Sequence, residues 1–258
     1  MSIRAVIFDL GQTLWDVPPH APGQLERAYA GLRAKLVGRL GRDDIPNAAA
    51  LQEAVRLALR EAYETYFTDT DRLDQPPSHV WVDGGLRALG LELEEALLRE
   101  VTPPLFAARK DSLICTEGTL EAVTLLAERG YRLGCVTNTL ADTTSICAML
   151  RGHGIEELME SVVVSSEEGR RKPHRALFEK AMRQLDTTPA ESLFVGDNPL
   201  DDISGAKAVG MWAVLTRQYV ARPYEDLDPQ PDAVIDHLRE LPDVISRLEA
   251  TGRSVGDA

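Results

Sequence analysis

The chain has 258 residues, with 28 Lys+Arg against 41 Asp+Glu and a formal charge of −13. Hydrophobic residues make up 44%, too many for a disordered chain, and the length fits one sizeable α/β domain with an insertion, or two small domains. The acidic balance opposes nucleic acid as the main partner, since phosphate backbones attract Lys and Arg, and no run approaches the roughly 18 apolar residues of a membrane helix.

Ile3 to Leu10 is an apolar, β-branched run that ends abruptly at Asp9-Leu10-Gly11. It predicts a buried parallel strand feeding a functional loop. The run is too short, and too soon met by an acid, for a signal peptide, so a cytoplasmic location is expected. From about Leu25 to Leu113 the texture is helical. Leu25, Ala28, Tyr29, Leu32, Leu36 and Leu40 recur at helical spacing, and Leu51 to Tyr66 repeats the pattern with Asn47 as a cap. Two further helices are predicted over Gly84–Leu89 and Leu93–Leu98. Beyond this stretch the pattern alternates. Helices are expected over Thr119–Ala127, Asp142–Leu150, Ala176–Leu185, Ile203–Val209 and Leu241–Leu248. Strands are expected over Tyr131–Val136, Ser161–Val164, Leu193–Val195, Trp212–Leu215 and Ala233–Ile235. Arg222 to Pro231, with three prolines and several acids, is expected to be a loop. Such alternation implies βαβ crossovers and a parallel, doubly wound α/β sheet, interrupted after its first strand by an all-helical insertion. Cys115, Cys135 and Cys147 are scattered, with no CxxC pair, which predicts three reduced thiols rather than a zinc site or a disulfide.

Four predicted strand ends carry unusual residues, and in open α/β sheets ligands bind beyond those ends. They are Phe8-Asp9-Leu10-Gly11-Gln12-Thr13-Leu14, Val136-Thr137-Asn138, Gly169-Arg170-Arg171-Lys172-Pro173, and Val195-Gly196-Asp197-Asn198 with Asp201-Asp202-Ile203. Singly each has a bland explanation: a turn cap, a helix start, a solvated lysine, an acidic first helical turn. Together and in this order they describe a phosphoryl-transfer site. A carboxylate attacking a phosphate dianion needs its charge screened, and Mg²⁺ held by hard oxygens such as those of Asp9 and Asp197 does that. Thr137 suits the phosphoryl oxygens and Lys172 the developing charge.

These motifs resemble those of the haloacid dehalogenase-like hydrolase superfamily, whose four signatures appear here in order: FDLGQTL, VTN, SSEEGRRKPHRALFEKA and VGDNPLDDISGAKAVGM. The resemblance implies a Rossmann-like core with a helical cap inserted between the first and second motifs. Residues 1–16 and 112–258 would form the core and 17–111 the cap. It also implies Asp9 as a nucleophile forming an aspartyl-phosphate, Thr137, Asn138 and Lys172 as phosphate contacts, and Mg²⁺ held by Asp9, the Gly11 carbonyl and Asp197, with Asp202 behind them. The expected substrate is a small phosphorylated metabolite, with neither nucleic acid nor membrane as a partner. In the cap region Trp15, His20 and Trp81 are candidates for substrate contact, with helix packing favoured for Trp81 and a surface position for His20.

One position departs from the family pattern. Phosphatases of this family usually carry a second aspartate two residues after the nucleophile, which protonates the leaving alcohol; here that residue is Gly11. General acid–base help of this kind is worth roughly 10²–10⁴-fold. Three readings therefore stand: a Mg²⁺-dependent phosphatase whose proton comes from elsewhere, a metal-independent 2-haloacid dehalogenase, and a phosphometabolite-binding module with weak turnover. Asp16 lies close enough to be weighed as a replacement acid, with a loop-capping role favoured.

Overall fold

The computed structural model describes residues 2–66, 68 and 72–251. Met1 and residues 252–258, which the domain division assigns to the core, lie outside the described residues. In chain order the elements are β1 (Ala5–Phe8), α1 (Gln24–Leu40), α2 (Ala48–Tyr66), α3 (Ser78–Arg87), α4 (Glu95–Val101), α5 (Pro103–Ala107) and α6 (Thr119–Glu128). Next come β2 (Arg132–Thr137), α7 (Thr143–Gly152), β3 (Met159–Val164), α8 (Ser165–Glu168), α9 (Arg175–Gln184) and β4 (Ser192–Gly196). The chain closes with α10 (Gly205–Ala208), β5 (Trp212–Thr216), β6 (Ala233–Ile235) and α11 (Leu241–Thr251).

The six strands form one parallel sheet in the order β3-β2-β1-β4-β5-β6. On β1, Val6 and Phe8 belong to one apolar cluster, with Leu126, Ile146 and Ile245. Ala5 and Ile7 belong to a second, with Phe178 and Ala206. Helices thus cover both faces, which is why the strand reads as an unbroken apolar run rather than an alternating one.

The helices between β1 and β2 have a third apolar cluster of their own, including Tyr29, Leu36, Val55, Val82 and Leu98. Asn47 accepts a hydrogen bond from Ala50 N at 2.9 Å and caps α2 as expected. The α2–α3 contact is close enough to dictate a residue type. A Cβ at Gly85 would lie 2.7 Å from Val55 Cα and 2.9 Å from Ala54 O, whereas one at Gly84 would meet nothing within 4 Å. Gly85→Ala is therefore expected to destabilise the protein by about 1–3 kcal/mol through overpacking. Gly84→Ala, in the same helix, is expected to be neutral or slightly stabilising. Paired thermal melts of the two variants check this.

Four helical stretches differ from the periodicity-based expectation. Helix α3 begins at Ser78 rather than near Gly84, and α5 and α8 were not foreseen because 4- and 5-residue helices leave no periodic signal. The helix expected over Ile203–Val209 instead starts as a wide π-type turn over Pro199–Ser204, which Asn198 caps by accepting from Leu200 N and Asp201 N. All three cysteines are free thiols, and burial pushes Cys115 up to about 11 and Cys135 up as well, so neither is poised as a thiolate. Among the described residues no helix is long and apolar enough to cross a membrane.

Candidate active site

Chain order puts the reactive residues side by side. Strand β1 pairs with β2 on one side and β4 on the other, so the connections leave it in opposite directions. A crevice forms at such a switch point, beyond the carboxyl ends of the strands. Asp9 follows β1, its backbone N–H donating to Val195 O at 2.8 Å. Thr137 ends β2 and Asp197 follows β4, and all three residues are buried.

Lys172 comes from the segment between α8 and α9 and reaches the same point. Its side chain is 2% exposed. Nζ donates to Asp9 Oδ1 at 2.6 Å and to Val136 O at 3.0 Å, and lies 2.7 Å from Asp202 Oδ1. The Asp202 contact is an ion pair without hydrogen-bond alignment, since that oxygen has no hydrogen-bond partner. Asn138 fixes the lysine's main chain: its Oδ1 accepts from Lys172 N at 2.7 Å, and its Nδ2 donates to Lys172 O at 3.2 Å and Asp201 Oδ2 at 3.3 Å. The Asn138 side chain is thus committed to holding the lysine. Asp202 Oδ2 accepts from Asn198 N at 3.0 Å. A Cβ at position 196 would stand 2.3 Å from that same oxygen, so only glycine lets the loop fold this tightly.

The electrostatics follow from packing charges out of water. Burial, assisted by the negative charges of Asp202 and Asp197, pushes Asp9 up to about 7 despite the opposing pull of Lys172. Burial pulls the Lys172 ammonium down, but Asp202 and Asp9 outweigh it and hold it above its ordinary range. Asp197 and Asp201 are also raised, first by burial and then by Asp202.

Carboxylate oxygens of Asp9, Asp197 and Asp202 lie within 4.8 Å of one another, all from buried residues. The donor set is all-oxygen and negatively charged, with one buried oxygen, Asp202 Oδ1, lacking a hydrogen bond. It fits a hard divalent cation. Beside Lys172, the neighbouring arginines are placed differently from one another. Arg170 is exposed, with its Nη1 on Gly169 O, and does not face the acids. Arg171 is buried, donates from Nε to Arg72 O at 3.1 Å and comes within 4.0 Å of Asp201 Oδ1. The cation that sequence reasoning missed is Arg222, whose Nε donates to Asp197 Oδ2 at 2.8 Å from a side chain 42% exposed. It is the one base in a proline-rich acidic loop, and that isolation was its only sequence signal.

Gly11 opens onto a cavity of about 460 Å³ that also meets Thr137, Asn138, Trp15, His20 and Arg109. The next residue, Gln12, adopts φ 61, and its Nε2 donates to Asp16 Oδ1 at 2.9 Å. Val17 N donates to the same oxygen at 2.7 Å, so Asp16 caps this loop. His20 is half-buried rather than on the surface, because Arg109 Nη2 donates to its Nε2 at 3.1 Å and draws it into the wall. Burial and the Arg109 charge push His20 down, so it is neutral and a poor proton donor. Trp81 packs against Tyr66, with ring centroids 6.0 Å apart, and takes no part in this cavity. The helical insertion meets the sheet loops directly: Gln75 Nε2 donates to Thr139 O at 2.8 Å and Ser78 Oγ donates to Leu140 O.

Comparison with known proteins agrees with this geometry. Residues 3–210 match the family model for haloacid dehalogenase-like hydrolases. The chain is 30% identical over 251 residues to a glyceraldehyde 3-phosphate phosphatase of Methanopyrus kandleri, covering 95% of this chain and 98% of that one. It is 31% identical over 256 residues to a ribulose-1,5-bisphosphate 5-phosphatase of Halopiger xanaduensis, covering 94% and 99%. Among solved structures, a 2-haloacid dehalogenase from Pseudomonas syringae pv. Tomato superposes with a TM-score of 0.64 at 27% identity, covering 95% and 99%. With the family model matched over most of its length and a relative 30% identical over 251 residues, the chain belongs to the haloacid dehalogenase-like hydrolase family.

Proposed function

We propose that the protein is a Mg²⁺-dependent phosphatase of small phosphorylated metabolites, working through an aspartyl-phosphate on Asp9. The observation that carries this reading is the cluster of Asp9, Asp197 and Asp202 oxygens within 4.8 Å of one another. A reaction at carbon that expels a halide needs no such set of acids. The relatives named as phosphatases over nearly the full length of the chain support the same reading.

In this reading Asp9 attacks phosphorus with Oδ2, the oxygen that accepts no hydrogen bond among the described residues, while Lys172 holds Oδ1 at 2.6 Å. Lys172, fixed in place by Asn138, balances the charge that accumulates on the phosphoryl oxygens. Thr137, at the end of β2, supplies a hydroxyl to them. Asp9, the Gly11 carbonyl and Asp197 would hold Mg²⁺, with Asp202 behind them positioning Lys172. The ion, when bound, offsets negative charge between nucleophile and phosphate. The P–O bond to the leaving group breaks as the Asp9–P bond forms, and water then hydrolyses the aspartyl-phosphate to release phosphate and regenerate Asp9. With glycine at position 11, the proton for the leaving oxygen comes from solvent or from the substrate. Residues 17–111 act as a cap that closes over the site and excludes water, and 1–16 with 112–258 form the core.

The deciding experiment measures phosphate release from an aryl phosphate beside chloride release from a 2-haloacid, each with Mg²⁺ and with chelator. Metal-dependent phosphate release is expected. A dehalogenase reading is favoured by Gly11 and by the superposed dehalogenase, and metal-independent chloride release would establish it instead.

Restoring the absent acid gives a second check. A Cβ at Gly11 would lie 3.3 Å from Val17 Cγ2, a side-chain methyl that a small rotation moves aside. Gly11→Asp is expected to raise kcat on alkyl phosphates by about tenfold or more, with little effect on aryl phosphates, whose leaving groups need no proton. Steady-state kinetics on both substrate types reads this, and no gain would show that the proton is delivered by another route.

A further inference from the structure

Resting on the phosphatase reading, the class of leaving group can be narrowed from the lining of the cavity onto which Gly11 opens. Nearly all the side chains there are apolar or neutral, Leu59, Phe106 and Met149 among them. Arg109 is the sole cation in that lining, since His20 is held neutral. The guanidinium is half-buried, and among the described residues no carboxylate pairs with it. Its partners are both uncharged: Nη1 donates to Pro18 O at 2.6 Å and Nη2 to His20 Nε2 at 3.1 Å.

An arginine carries five N–H donors in a planar fork. Two bonds orient the fork and leave donors for something else. A partly desolvated charge with no counter-charge is costly, and it is relieved when a ligand brings an anion to it. Burial alone pulls the Arg109 guanidinium down, with no acid to oppose it. Thr137, Asn138 and Gly11, from the loops where the phosphate would sit, line the same cavity as Arg109, and its volume of about 460 Å³ has room for a short carbon skeleton. A single fork suits a planar carboxylate, which it can grip with two parallel bonds. A second phosphate dianion would meet only this one positive charge.

We propose that Arg109 is a specificity-determining residue that binds a carboxylate on the leaving group, making the preferred substrates phosphate monoesters of small hydroxy acids. The two neutral contacts of Arg109 hold its fork in place, and the carboxylate supplies the missing counter-charge.

The test uses the full-length protein with Mg²⁺ and compares kcat/KM for 2-phosphoglycolate, ethyl phosphate and 1,3-propanediol bisphosphate. The acid is expected to exceed the ethyl ester by at least about tenfold, as a charge-assisted pair at a half-buried arginine should give. Arg109→Met is expected to reduce that ratio to below about threefold, with the loss concentrated in KM for the acid; Arg109→Lys should retain part of it. A variant damaged only in its fold would lose activity on both esters alike and leave the ratio standing. Calorimetric binding of 3-phosphonopropionate against propylphosphonate reads the same preference without turnover. Equal kcat/KM for acid and ethyl ester in the wild type overturns the proposal and leaves the phosphatase reading intact, as does a preference for the bisphosphate. Absence of all turnover, with 3-phosphonopropionate still bound more tightly than propylphosphonate in an Arg109-dependent way, upholds the carboxylate contact at Arg109 but overturns the phosphatase reading and the substrate preference that rests on it.

Discussion

Asp9→Asn is expected to abolish phosphate ester hydrolysis, by at least about 10³-fold in kcat, while raising the melting temperature of the metal-free protein at pH 8. The first effect follows because an amide cannot form the acyl-phosphate bond. The second follows from the electrostatics. In the folded protein Asp9 keeps its proton up to about pH 7, against an ordinary value of 3.8. Between those values the native state binds more protons than the unfolded state, so stability declines as pH rises. The contribution of the group is fully present below about pH 4 and is lost by pH 7. Three units correspond to roughly 4 kcal/mol as an upper bound, at about 1.36 kcal/mol per unit. Asparagine avoids that penalty but gives up the ion pair with Lys172, so a net gain of about 1–2 kcal/mol, or roughly 2–8 °C, is expected. Thermal melts in chelator at pH 5 and pH 8 check it: the variant's advantage must grow with pH. A variant less stable than wild type at pH 8 would mean that the lysine pair outweighs the burial of the carboxylate.

Lys172→Met is expected to move stability the other way and by more. The ammonium lies between Asp9 and Asp202, at 2.6 and 2.7 Å, and both acids are buried. Removing it leaves two carboxylates facing each other with no buried cation between them. Breaking one side of a buried ion pair costs about 3–5 kcal/mol. The deficit is expected to be larger at pH 8 than at pH 5, because Asp9, which loses the lowering pull of Lys172 in the variant, still accepts a proton at the lower pH and relieves the repulsion. Hydrolysis should fall to background at every pH. Denaturant melts at the two pH values, with activity measured in parallel, separate the charge effect from a simple packing loss, which would not vary with pH.

The strand-end acids and the lysine were legible in the sequence because their role is tied to local syntax. Asp9 ends an apolar β-branched run, Thr137 ends another, and Asp197 follows a third; placing three strands in a parallel sheet brings their ends together. Lys172 was legible by the same rule and by its charge, although the structure sets it after the short helix α8 rather than directly at the end of β3. What stayed hidden depended on contacts between distant segments. Arg109 sits 89 positions from His20, and Arg222 sits 25 from Asp197. Neither pair has a spacing that a helix or strand would enforce. That the Asn138 side chain also holds the backbone of a residue 34 positions away could not be read from its neighbours. The half-buried position of His20 was hidden for the same reason, since Arg109, 89 positions away, is one of the two side chains that hold its ring, with Gln24 the other.

The two hydrogen bonds from the helical insertion to the loop after β2 have a consequence for how this enzyme can diversify. Gln75 and Ser78 grip the carbonyl oxygens of Thr139 and Leu140, not their side chains. The side chain of Leu140 meanwhile contributes to the cavity wall. The contact between insertion and loop is therefore written in main-chain atoms that every residue type possesses, while the shape of the chamber is written in side chains. Substitutions at position 140 can reshape the chamber without removing the acceptor that latches the insertion. Drift in substrate preference and retention of the contact between insertion and sheet loop are separable in this fold, so a lineage can explore new substrates without first rebuilding that contact.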